Sequence, residues 1–96
     1  MKIFVSAKAD ADLLHLFSYL AQRNPIVAEM IVSEIDKKLE SLARFPFIGR
    51  ERSSLGVGMR SVVDGMYVIF YAIERDHITV VRVLDGRRDI DAEFQR

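Results

Sequence analysis

Eight basic side chains follow Arg44 in this sequence, and all eight are arginine: Arg50, Arg52, Arg60, Arg75, Arg82, Arg87, Arg88 and Arg96. The four lysines, Lys2, Lys8, Lys37 and Lys38, all come earlier. Proton transfer calls for a titratable base, but a guanidinium stays charged and instead presents a rigid fork to a carboxylate or phosphate. The pattern therefore favours recognition over catalysis. Other reactive side chains are sparse. His15 and His77 are isolated, one beside an apolar stripe and one at a hairpin end, and read as amphipathic surface residues. Ser53 and Ser54 have no local base. "SLGVGMR" leads into a strand and lacks the lysine of a phosphate-binding loop. With no cysteine, thiolate nucleophiles, zinc thiolates and disulfides are excluded. We expect no catalytic residue, no metal ligand and no cofactor.

Arg82, Arg87 and Arg88 stand in "HITVVRVLDGRRDID", where alternating apolar residues run into an arginine and then a glycine and an arginine pair set among acids. Arg82 falls in simple strand alternation with Ile78, Val80 and Leu84, so its guanidinium is expected to point from a partly apolar sheet face. Two readings stay open for it: an internal ion pair with an acid such as Glu74 or Asp85, or a socket for an acidic partner segment. Arg87 and Arg88 either sit in a solvated loop balanced by Asp85, Asp89, Asp91 and Glu93 or face the same partner. The tyrosines read first as sheet packing.

The elements that must position these residues follow from periodicity. "KIFVS" alternates as a short strand whose brevity suggests a sheet edge. From about Ala9 to Arg23, Leu13, Leu16, Phe17 and Leu20 recur at helical spacing, with Asp10 and Asp12 complementing the helix dipole. Asn24 and Pro25 read as the N-cap and first residue of a second helix, whose apolar face is Val27, Met30, Ile31, Ile35, Leu39 and Leu42 to about Arg44. So short a connection makes the two an antiparallel hairpin. Pro46 and Gly49 in "FPFIG" end the helical half, and residues 50 to 56 read as a polar loop.

From Val57 the spacing drops to two. Asp64-Gly65 between apolar runs signals a hairpin with a type I′ turn, which needs positive φ at both central residues. A turn at Arg75-Asp76 completes a three-stranded meander. Its middle strand is apolar on both faces, so it should be central, with the helical hairpin on one face and the other left for Arg82 and the arginine pair. "IDAEFQR" is either a short terminal helical turn or frayed.

A chain of 96 residues without repeats or linkers makes a single domain, 1–96. Fourteen basic and fourteen acidic residues cancel, so no global field draws it to nucleic acid or an anionic membrane. The N-terminus has no unbroken apolar run before its first acids, and no later run approaches a membrane span. A cytoplasmic location is expected. The fold class is α+β: an N-terminal strand, then an antiparallel helical hairpin packed on one face of an antiparallel sheet with a three-stranded C-terminal meander.

Four stretches in this order, "AKADADLLHLFSYLAQRNP", "LARFPFIGR", "GMRSVVDGMYVIFY" and "VVRVLDGRRD", resemble the RelE/ParE superfamily of bacterial toxins from type II toxin–antitoxin systems. The resemblance covers nearly the whole chain. RelE-like ribosome-dependent nucleases carry lysines before the first meander strand, an arginine in a G-Y-R pattern, and a terminal arginine followed six residues later by tyrosine. Here Arg60 has no lysine beside it, Tyr67 stands where that arginine would be, and Phe94 follows Arg88 at the tyrosine position. Phenylalanine can neither take nor give the proton that cleavage requires. "GMYVIFY" and "RVLDGRRD" resemble the ParE branch, which implies a toxin that inhibits DNA gyrase by binding and forms a hetero-oligomer with a ParD-like antitoxin. On that resemblance the antitoxin is expected to meet Arg60, Tyr67, Arg82, Arg87 and Arg88, and gyrase to meet Arg87, Arg88 and Phe94. No direct binding to nucleic acid or membrane is expected of the toxin by itself. The alternatives are a RelE-like endoribonuclease and a degenerate member that binds antitoxin but poisons nothing.

Overall fold

The computed structural model describes residues 1–95; Arg96 lies outside them. In chain order the elements are β1 (Lys2–Val5), α1 (Ala7–Arg23), α2 (Pro25–Arg44), β2 (Arg50–Glu51), a 3₁₀ turn at Ser53–Leu55, β3 (Met59–Asp64), β4 (Tyr67–Ile73), β5 (His77–Asp85) and α3 (Ile90–Phe94). The five strands form one sheet in the order β1-β5-β4-β3-β2, so β4 is central and β1 an edge, as its apolar faces and brevity imply.

The helices begin where the sequence punctuates them. Ser6 caps α1, its hydroxyl accepting from Ala9 N–H at 3.0 Å and donating to Val81 C=O at 2.9 Å, so one side chain ties the helix start to β5. Asn24 ends α1 with its own N–H on Leu20 C=O and starts α2 by accepting from Val27 N–H at 3.2 Å. No linker intervenes, and the pair folds back as the expected hairpin.

Ile35, Leu39 and Leu42 of α2 and Ala9 of α1 pack on Ile69, Tyr71, Ile78, Val80 and Val83. The opposite sheet face has a second core of Met59, Val68, Phe70, Ala72 and Leu84, closed by Leu55 and by Ile90 and Phe94 of α3. The C-terminal segment is thus a helical turn with a packing role, and the second face of β4 is largely covered.

Four features differ from the sequence reading. The sheet is mixed: β1 pairs with β5 in parallel, Lys2 opposite His77 through Val5 opposite Val80, because the helical hairpin delivers β2 antiparallel in sense to β1 and the alternation of β2, β3, β4 and β5 then brings β5 back to the sense of β1. Arg50 and Glu51, read as loop, pair with Ser61 and Arg60 as a minimal edge strand. The β3–β4 turn is Gly65–Met66, since Asp64 already opposes Tyr67. Of these two residues Gly65 alone has positive φ, at 60°, the pattern of a type II′ turn, in which glycine takes the first central position. Finally, β5 carries a bulge: Phe70 opposes Arg82 while Tyr71 opposes Val80, leaving Val81 extra. Alternation flips there, so Ile78 and Val80 join the helix-side core while Arg82 and Leu84 fall in the opposite register.

Candidate functional site

The last pairing of β1 is at Val80, and beyond it the edge of β5 is open. Asp12 of α1 closes its first part. One carboxylate oxygen accepts Val83 N–H at 3.0 Å and Arg82 Nε at 2.8 Å, and the other accepts Arg82 Nη2 at 2.9 Å. This fork on the carboxylate raises the Arg82 pKa above its ordinary value. From its other side the guanidinium meets Glu93 of α3, with Nη2 3.6 Å from Oε2 and Nη1 3.4 Å from the carbonyl. Arg82 is only 13% exposed and clasps α1, β5 and α3 together. Of its two open readings, the internal pair is the one observed, with Asp12 and Glu93 as the acids in place of Glu74 or Asp85.

Next to this clasp lies a groove of about 1010 Å³ between α1, the start of α2 and the far half of β5. Leu16, Tyr19 and Leu20 of α1, Val27 and Ile31 of α2, and Met66 and Tyr67 of the hairpin give it an apolar wall. Its length has a simple cause: the helical hairpin extends past the edge of β5 that β1 leaves open, so part of its stripe has no sheet to cover. His15 also lines it. Burial, then the nearby Asp85 charge, raises the Tyr67 pKa above its ordinary value.

The charged rim comes from the β5–α3 connection. Arg87 grips Asp85 through Nε (3.0 Å), Nη2 (2.7 Å) and its own N–H (2.9 Å). These bonds pull the Asp85 carboxyl down to about 2. Arg88 Nη1 reaches Glu93 at 3.2 Å. Both arginines remain open to solvent, at 77% and 52%, so a partner's carboxylate can reach them.

Of the residues singled out in the sequence, Tyr67, Arg82, Arg87 and Arg88 come together on this groove. Arg60 does not. It lies under the turn after α2, where Nη1 donates to Gly49 C=O at 2.7 Å and Phe47 C=O at 3.3 Å and Nη2 meets Glu51 at 3.2 Å. Phe94 is on the other sheet face, its ring edge-on to Phe70 with centroids 4.9 Å apart. Asp12 and the apolar wall were missed. Asp12 looks like an ordinary helix-start acid, and only the excess of apolar residues over the length of the first strand hinted at an uncovered end.

The chain matches, over residues 3–90, the family described as the ParE toxin of type II toxin–antitoxin systems, parDE. It belongs to the ParE toxin family. Toxin ParE3 of Caulobacter vibrioides is 26% identical over 94 residues, which is 97% of this chain and 94% of that protein. Toxin ParE1 of the same organism is 30% identical over 81 residues, 83% of each. A solved structure of a chromosomal ParDE system from P. aeruginosa superposes with a TM-score of 0.76 at 20% identity, covering 88% of this chain and 95% of that one, and shares the fold. This is a ParE-type toxin of a type II toxin–antitoxin system with a groove open at the end of its helical hairpin.

Proposed function

We infer that this ParE-type toxin acts in the cytoplasm by binding, that its target is DNA gyrase, and that a ParD-like antitoxin neutralises it by laying an amphipathic, acidic segment in the groove. Such a segment would set apolar side chains against Leu16, Leu20, Ile31 and Tyr67 and carboxylates against Arg87 and Arg88, gaining its order on binding. Arg82 contributes by holding the groove's base. Arg60, away from the groove, has no part in this contact.

The observation that carries the binding reading over the nuclease reading is the place of Phe94. Its ring packs on Phe70, so the position where a RelE-like enzyme offers a tyrosine serves the core of the sheet. A packed hydrocarbon ring supplies no proton to a leaving group. Phe94 is accordingly better suited to fixing α3 than to touching a target.

Purified toxin is expected to inhibit gyrase supercoiling, or trap cleaved DNA, in proportion to occupancy, with reversal by stoichiometric antitoxin. Ribosomes translating a defined message should show no new 5′ ends. Cleavage of messages in the ribosomal A site, with gyrase fully active at saturating toxin, would sink the reading.

A further inference from the structure

We propose that the turn Phe45–Ile48 is a second docking surface, separate from the groove, by which the toxin meets its target protein, and that it takes an apolar hollow bordered by carboxylates. The inference rests on the binding reading above for the existence of a target. The turn is pinned from beneath. Ile48 N–H bonds Phe45 C=O at 3.2 Å, and Pro46 pre-sets the first central φ. The buried Tyr71 hydroxyl donates to Pro46 C=O at 2.7 Å and accepts Gly49 N–H at 3.0 Å. Arg60 holds the carbonyls of Phe47 and Gly49 and stacks under the Phe47 ring, 5.0 Å from its centroid. Gly49 is required because a Cβ there would run into the Tyr71 hydroxyl and lie 2.9 Å from Ser61 C=O.

This rigid backbone turns its large apolar side chains outward. Phe45, Phe47 and Ile48 are 59%, 66% and 54% exposed. Ending α2 needs only Pro46 and Gly49. Single exposed apolar residues are ordinary, but three on one preorganised turn form the kind of anchor that binds without an ordering cost. None of them lines the groove.

Charge selects the occupant. Arg44 and Arg50 flank the turn, both exposed, and neither has an ion-pair partner among the described residues. A positive rim around an apolar centre complements a negative rim around an apolar hollow. A second copy meeting face to face would bring Arg44 and Arg50 against the same arginines. Nucleic acid is disfavoured because two free cations on a chain of zero net charge release few counterions.

The test compares wild type with Phe47→Ser/Ile48→Ser, with Arg50→Glu, and with Leu14→Ser as an exposed control that belongs to neither the turn nor the groove lining. Growth arrest on induced expression and inhibition of purified gyrase are the readouts, with thermal unfolding confirming the fold. Both turn variants should lose about tenfold or more in potency while Leu14→Ser matches wild type. If the double variant does not fold, Arg50→Glu decides, since its side chain is exposed. Turn variants as potent as wild type overturn the docking surface and leave the gyrase reading intact. Wild type that arrests growth without touching gyrase, with arrest lost in the turn variants, overturns gyrase as the target but supports the surface. Duplex DNA binding by the toxin alone that the turn variants abolish overturns a protein occupant, and a wild type inert in both assays overturns both readings.

Discussion

Removing the Arg82 guanidinium would leave the Asp12 carboxylate, itself 14% exposed, without its strongest partner and would leave Glu93 to the exposed Arg88. Arg82→Ala is therefore expected to cost roughly 3 kcal/mol in denaturant unfolding, as loss of one side of a buried pair does. Arg87→Ala, at an exposed and solvent-screened pair, should leave denaturant unfolding nearly unchanged and show instead in antitoxin affinity. Charge reversal at Arg82 thus confounds binding with folding, and Arg87 and Arg88 are the cleaner probes of the groove. Asp85 carries a pH signature. Its folded pKa, about 2, lies below the ordinary 3.8, so its contribution to stability is full above pH ~4 and is lost as pH falls towards 2. Asp85→Asn should lower stability above pH ~4, where the contribution is full, and approach wild type as pH falls towards 2, so the fall in that window is flattened; identical curves for the two proteins would refute the assignment. At this scale the sequence told the residue type of the site but not its wiring, because the acid that holds Arg82 is 70 residues away and nothing local distinguishes Asp12 from Asp10.

The helices and meander were legible because each is written as a local period bounded by caps and turns: Asn24-Pro25 between the helices, Gly65 between β3 and β4. What escaped was every feature set by pairing at a distance. The parallel β1–β5 contact depends on where the helical hairpin and three further strands return the chain, the two-residue β2 on a neighbour that supplies its bonds, and the bulge at Val81 on the pairing of β5 with β4. Burial also divided the helical stripes unevenly. Ile35 is buried under the sheet, so Ile35→Ala should cost about 2 to 5 kcal/mol. Leu16 lies on the groove wall, and Leu16→Ala should cost distinctly less while weakening antitoxin binding. Equal melting-temperature losses for the two would contradict this division. Tyr71→Phe strips two partners from the turn after α2, leaving Gly49 N–H and Pro46 C=O unpaired, and is expected to cost about 1 to 3 kcal/mol by chemical denaturation.

Taken whole, the molecule has no net charge, yet it concentrates exposed arginine at one rim of the groove. Association with an acidic antitoxin segment should therefore be steered locally, and its on-rate should fall several-fold from low to high salt while the off-rate changes little, as stopped-flow mixing can show. Among the described residues no helix is long and apolar enough to cross a membrane. The parallel seating of β1 beside β5 has a further effect, one of timing. Ser6 bonds Val81 across 75 residues, so neither partner of the β1–β5 seam can be satisfied until nearly the whole sequence has left the ribosome. Until then the hairpin of α1 and α2 forms quickly from neighbouring residues but has no sheet on which to lay its apolar face. Closing so long a loop adds about 2 kcal/mol of entropy cost over a ten-residue one, a barrier met late. A fragment ending before His77 should accordingly show helix without a cooperative melting transition. The toxin would then gain its groove only in the last moments of its synthesis, and a waiting antitoxin could meet it as it closes.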